Sequence, residues 1–70
     1  MKQISSQMAG VVVDVLVAAG DSIKPGMEVA ILESMKMQMP IESDLTGVVK
    51  EIKVKQGDFI NEGEPVLTLE

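Results

Sequence analysis

The chain has 70 residues and a net charge of −5, with eleven acidic and six basic side chains, no cysteine, no histidine and one aromatic residue, Phe59. A chain this short makes one small domain with no disulfide to staple it, and it lacks the soft metal ligands and the commonest nucleophile and general base, so neither a metal nor a catalytic residue is expected. Its acidity repels a phosphate backbone or an anionic membrane, and one ring makes no stacking platform for bases, which excludes nucleic acid and membrane as partners.

Valine and isoleucine dominate, glycine punctuates, and no segment carries a long helical period, so every element is expected to be a strand. Gln3 to Gln7 is a short strand, and Met8-Ala9-Gly10 bends the chain into a longer one from Val11 to Val17. Strict alternation there puts Val11, Val13, Val15 and Val17 on the inward face, with Val12, Asp14 and Leu16 outside. Gly20-Asp21 turns the chain, Ile23 drops back into the core, and Lys24-Pro25-Gly26-Met27 has the central proline and glycine of a type II turn. Glu28 to Glu33 is the next strand. The plan then recurs: a strand over Pro40 to Ser43, a bend at Thr46-Gly47, a long strand from Val48 to Val54, turns at Gly57-Asp58 and Asn61 to Glu64, and a last strand from Pro65 to Leu69.

The recurrence is literal. Shifting the chain by 37 places lays residues 1–33 over 38–70 without a gap, and 13 of the 33 aligned pairs are identical, among them Ile4/Ile41, Ser6/Ser43, Gly10/Gly47, Gly20/Gly57, Gly26/Gly63 and Leu32/Leu69. Glycines kept at both turns of both copies imply positive φ at Gly20, Gly26, Gly57 and Gly63. Lys50 aligns with Val13, expected to face inward, which implies either a local bulge or a position near the rim. Two half-sheets, each too small to bury its own apolar face, pair about a pseudo-two-fold axis into an all-β, flattened barrel-sandwich of the hammerhead type spanning residues 1–70. The junction between the halves and the meeting point of the termini are then equivalent by rotation and lie at opposite ends.

What the repeat leaves unmatched is the link 34–37, Ser34-Met35-Lys36-Met37, whose one reactive side chain is Lys36. A four-residue link between strands makes a hairpin with a tip in water. Lysine in a surface turn is ordinarily a solvated charge, and that reading fits Lys24, Lys53 and Lys55. At Lys36 the neighbours differ: methionines at 35, 37 and 39 are costly to expose, and methionine is over-used at adaptable binding surfaces. Together they mark a recognition or modification site.

The run Glu33-Ser34-Met35-Lys36-Met37 resembles the attachment sequence of biotinyl domains, the biotin carboxyl carrier family. The resemblance covers the whole chain, since that family is also a duplicated half-domain with turns like those from Gly20 to Gly26. It implies that Lys36 carries biotin through an amide added by a biotin protein ligase, with Glu33, Ser34, Met35 and Met37 recognised by that ligase. It further implies a non-catalytic carrier subunit that shuttles a carboxyl group between biotin carboxylase and carboxyltransferase sites of a carboxylase, with an acyl-CoA as the expected acceptor. The inserted thumb of the family's larger form has no room in two halves that match without a gap. With no Pro/Ala-rich linker either, the chain is expected to be a monomer by itself and to meet its carboxylase as a separate subunit.

Two alternatives share the fold. A lipoyl domain would carry lipoate on the same lysine, but its turns more often set an acidic and a small residue where Met35 and Met37 stand. A non-carrier structural module resembling membrane-fusion adaptors would split the halves with a long helical insertion, and only four residues stand here. An enzyme is disfavoured, since Asp21, Asp58, Glu28, Glu33 and Glu64 read as turn and surface carboxylates with no paired acid. The apolar run from Val11 to Ala19 after Lys2 superficially suits a secretory signal, yet Asp14 interrupts it and it forms one copy of the repeat. No stretch reaches the roughly 20 apolar residues of a membrane span, so a cytoplasmic location is expected.

Overall fold

The computed structural model describes residues 2–70 and is all-β. Eight strands follow in order: β1 (Lys2–Ser5), β2 (Gly10–Val15), β3 (Ser22–Ile23), β4 (Glu28–Ser34), β5 (Met37–Glu42), β6 (Gly47–Ile52), β7 (Phe59–Ile60) and β8 (Pro65–Leu69). They form two four-stranded antiparallel sheets, ordered β1-β8-β6-β3 and β5-β4-β2-β7. Adding four to each first-half strand number and subtracting four from each second-half one converts one order into the other, as a two-fold rotation requires. Each sheet therefore draws strands from both halves, and neither half closes a core alone.

The symmetry extends to individual hydrogen bonds. Gly20 N–H donates to Val49 O and Gly57 N–H to Val12 O, both at 2.8 Å; Gly26 N–H donates to Ser43 O and Gly63 N–H to Ser6 O, again at 2.8 Å. All four glycines adopt positive φ, between 86° and 95°. The Lys24–Met27 turn closes as expected, with Met27 N–H donating to Lys24 O at 3.1 Å around Gly26. Ser6 and Ser43, both buried, each donate a hydroxyl to the carbonyl two residues on, Met8 and Leu45, and accept the N–H of that same residue. Each serine thus folds the bend after its strand and satisfies its own buried oxygen, which explains why both copies keep it.

The expected inward face of β2 was wrong by one residue at its start. Val12, 1% exposed, is in the core, whereas Val11 is 41% exposed. The β2–β4 ladder slips between Val12 and Asp14, and the β6–β8 ladder slips between Val49 and Glu51. Val13 and Lys50 are the extra residues of matching bulges, which decides the question at Lys50 in favour of a bulge. A bulge inverts the alternation beyond it, so Val12 and Val17 can both face inward despite their odd spacing. The long strands consequently end at Val15 and Ile52, two residues early, and two short strands, β3 and β7, appear where turn and return had been expected.

The core is aliphatic: Val12, Ile23, Val29, Leu32, Ile41, Val49, Ile60, Val66, Leu67 and Leu69 all lie within it. Every buried side-chain polar atom among the described residues has a partner. Gly10 shows how closely β2 and β4 approach each other, since a Cβ there would meet Glu33 O on β4 at 2.7 Å; at Gly47 it would meet only the Leu69 side chain, at 3.2 Å. Backbone yields less than a side chain. Gly10→Ala should therefore lose about 1 kcal/mol more stability than Gly47→Ala, measured by urea unfolding. Equal losses would show that β4 moves freely at Glu33.

Candidate functional site

The longest ladder in the molecule, β4 against β5, leads to Lys36. Its register runs Leu32↔Met39, Glu33↔Gln38 and Ser34↔Met37, so the ladder absorbs Ser34 and Met37 and leaves Met35-Lys36 alone as the loop. The link is tighter than the four-residue hairpin expected, and β5 starts three residues before Pro40. Two-residue hairpin loops match the right-handed twist of their strands when both residues take positive φ. Met35 has φ 53° and Lys36 φ 66°, the only non-glycine residues with positive φ among those described. Side-chain-bearing residues other than Asn and Asp rarely occupy that region.

All five residues expected at the site fall on this hairpin. Met35 is 92% exposed and Met37 63%, Lys36 and Glu33 are exposed, and Ser34 is half-buried at the last rung. Among the described residues the one ion pair, Lys53 Nζ to Glu51 Oε1 at 2.8 Å, lies on β6 and the turn after it, in the other sheet. Lys53 holds the Glu51 carboxyl below its ordinary value by hydrogen bond and charge. Lys36 makes no such pairing, so its amine stands in water at the outermost point of the hairpin.

The opposite junction is closed differently. Lys2 pairs with Leu69 on β1 and β8, the counterpart of Met39 with Leu32, so the chain ends take the place that the turn takes in the other half. What sequence reasoning missed at the site is the backbone state of Met35 and Lys36; no glycine or asparagine signals it, because the ladder on either side imposes it.

A duplicated β-sandwich that presents a primary amine in an exposed two-residue turn, with both loop residues at positive φ, has the geometry an attachment module requires. Comparison with known proteins agrees: a model of the biotin/lipoyl family, described as biotin-requiring enzyme, matches residues 2–69. The chain belongs to that family. A biotin/lipoyl attachment protein of Bacillus subtilis (strain 168) is 63% identical over 38 residues, which make up 54% of this chain and 52% of that protein. That match spans about half the relative's length. Among solved structures, Kluyveromyces lactis urea carboxylase is similar over 99% of this chain and 6% of its own, with TM-score 0.89 and 29% identity. A single-chain, multi-domain long-chain acyl-CoA carboxylase is similar over 94% of this chain and 7% of its own, with TM-score 0.85 and 29% identity. The lipoyl domain of the Azotobacter vinelandii 2-oxoglutarate dehydrogenase complex follows at TM-score 0.70 and 26% identity, over 89% of this chain and 78% of its own.

Proposed function

We propose that Lys36 is the attachment residue, that the group attached is biotin, and that the chain serves as the carboxyl carrier of a biotin-dependent carboxylase. The observation that carries this reading is the position of the Lys36 amine, exposed at the tip of the β4–β5 loop with no ion pair among the described residues. The residues fit the group. An amide needs a primary amine, Lys36 has the only one on the hairpin, and its four-carbon stem adds reach beyond a rigid two-stranded base. Acylation consumes the amine and deletes its charge.

Biotin is favoured over lipoate by the methionines on either side of the lysine and by the two carboxylases among the similar structures. Bound biotin supplies the ring on which a carboxyl group is held. The protein's part is mechanical: the ladder fixes the hairpin, the hairpin aims the stem, and tethering gives the carried group a high effective concentration at successive sites. Partners under this reading are a biotin protein ligase, a biotin carboxylase and a carboxyltransferase, in the cytoplasm. Lipoate remains the second reading, supported by the likeness to the lipoyl domain.

Intact-mass measurement of the protein from its native host tests the assignment. A biotin-sized increment supports it, a lipoyl-sized one transfers the site to the second reading, and an unmodified chain from biotin-replete cells refutes both. Met37, Met35, Ser34 and Glu33 are the ligase-recognition residues of this proposal. Because Met37 is 63% exposed, Met37→Ala should slow labelling while leaving the unfolding free energy, from urea titration, unchanged within about 0.5 kcal/mol. A variant that unfolds, paired with a Met37→Leu variant labelled at the parent rate, would assign Met37 to packing instead.

A further inference from the structure

Internal symmetry supplies a control surface that few proteins have. Whatever the fold alone requires of one sheet's outer face it requires of the other's, so differences between equivalent positions report something besides folding. On the sheet bearing the hairpin, Phe59 pairs with Val11 and Ile31 with Pro40; Val11 faces Glu33 and Ile31 faces Asp14 across β2 and β4, so the four apolar residues form a diagonal stripe over two neighbouring rungs with Glu33 and Asp14 flanking it. Phe59 is 63% exposed, Val11 and Pro40 are exposed and Ile31 is half-buried, outside the core cluster and the apolar residues packed on it. Their counterparts 37 residues away are Ser22, Val48, Thr68 and Gln3. Three apolar side chains thus stand where the other sheet has polar ones.

Charge breaks the symmetry in the same direction. The strands of the hairpin sheet carry Asp14, Glu28, Glu33 and Glu42 and no lysine or arginine. Those of the other sheet carry Lys2, Lys50 and Glu51. An apolar stripe rimmed by acids only is self-repelling, so a second copy of this chain is a poor occupant. It suits a protein surface with an apolar centre and a lysine- and arginine-rich rim. At about 4.8 Å between strands, β7 lies only about 15 Å across the sheet from β5, within the footprint of an ordinary interface that also covers the Lys36 loop.

We propose that this face, Phe59, Val11, Ile31 and Pro40 with its acidic rim, is the docking surface for the enzyme that acylates Lys36, through a complementary apolar and basic patch. This rests on the attachment reading above. The stripe sets orientation and affinity, and the single lysine loop at the edge of the docked area receives the acyl group.

The test exchanges each residue for its own symmetry mate. Full-length parent, Phe59→Ser and the triple variant Phe59→Ser/Ile31→Thr/Pro40→Gln are labelled by the native host's biotin protein ligase with biotin and ATP, with Ser22→Phe as the control on the other sheet. The expected result is a kcat/KM about tenfold lower in the triple variant, carried by KM with kcat unchanged, and a parent-like rate for Ser22→Phe. The parent's kcat/KM should fall as salt rises, and less steeply in Asp14→Asn/Glu42→Gln. Should the triple variant not fold, Phe59→Ser alone is expected to show a KM raised several-fold. A parent labelled on Lys36 alongside folded variants within twofold of its kcat/KM overturns the docking surface and leaves attachment standing. So does a parent that sediments as a dimer dispersed by Phe59→Ser. A parent left unlabelled overturns the attachment reading and this one with it.

Discussion

Lys36→Arg should abolish labelling altogether while the protein keeps its fold. Arginine preserves the charge, the length and the solvated position, but a guanidinium does not form the stable amide that a primary amine forms. The substitution removes no packing, because the side chain is exposed and lies outside the core. The expected readout is complete loss of the mass increment with an unfolding free energy, from urea titration, changed by no more than about 0.5 kcal/mol. Labelling that persists at Lys24, Lys53 or Lys55 would show that the ligase reads something other than the β4–β5 loop.

The second large effect concerns stability. Met35 and Lys36 both sit at positive φ, where a side-chain-bearing residue pays about 1 kcal/mol or more, and the loop geometry prefers Asn-Gly. Met35→Asn/Lys36→Gly should stabilise the protein by about 2 kcal/mol and raise Tm by roughly 8–16 °C for a domain this size, while removing the acceptor amine. Stability and acylation move in opposite directions because the strain and the amine occupy the same residue. The residues before and after, Ser34 and Met37, are held in the ladder and keep the loop in register. An unchanged or lowered Tm would mean that the two exposed side chains make compensating contacts and that the turn is not strained.

Reading the repeat was enough to foresee much of the fold. Identities 37 residues apart mark the positions where both halves need the same physics: Gly20 and Gly57 for positive φ, Ser6 and Ser43 for self-satisfied bends, Leu32 and Leu69 for the core. The candidate lysine was legible for the opposite reason, lying in the one segment the repeat does not cover. The inward face of β2 was not legible in β2 itself: the one hint of a bulge was Lys50 at the equivalent position of the second copy, and the bulge at Val13 is a mismatch with β4 that β2 alone does not encode. The stripe of Phe59, Val11, Ile31 and Pro40 was equally hidden. Its residues lie far apart in the chain and become neighbours only when four strands are ordered, and they sit where the two halves differ rather than where they agree.

The sequence by itself thus determined that the chain is all-β, that it is built twice over, and that one lysine stands between the copies. Those properties follow from residue types at a constant separation. Only the tertiary structure decided the phase of the strands around the bulges, the left-handed backbone of Met35 and Lys36, and which sheet face is apolar. Each of these depends on a partner strand drawn from elsewhere in the chain, and register is a relation between strands that neither strand specifies alone.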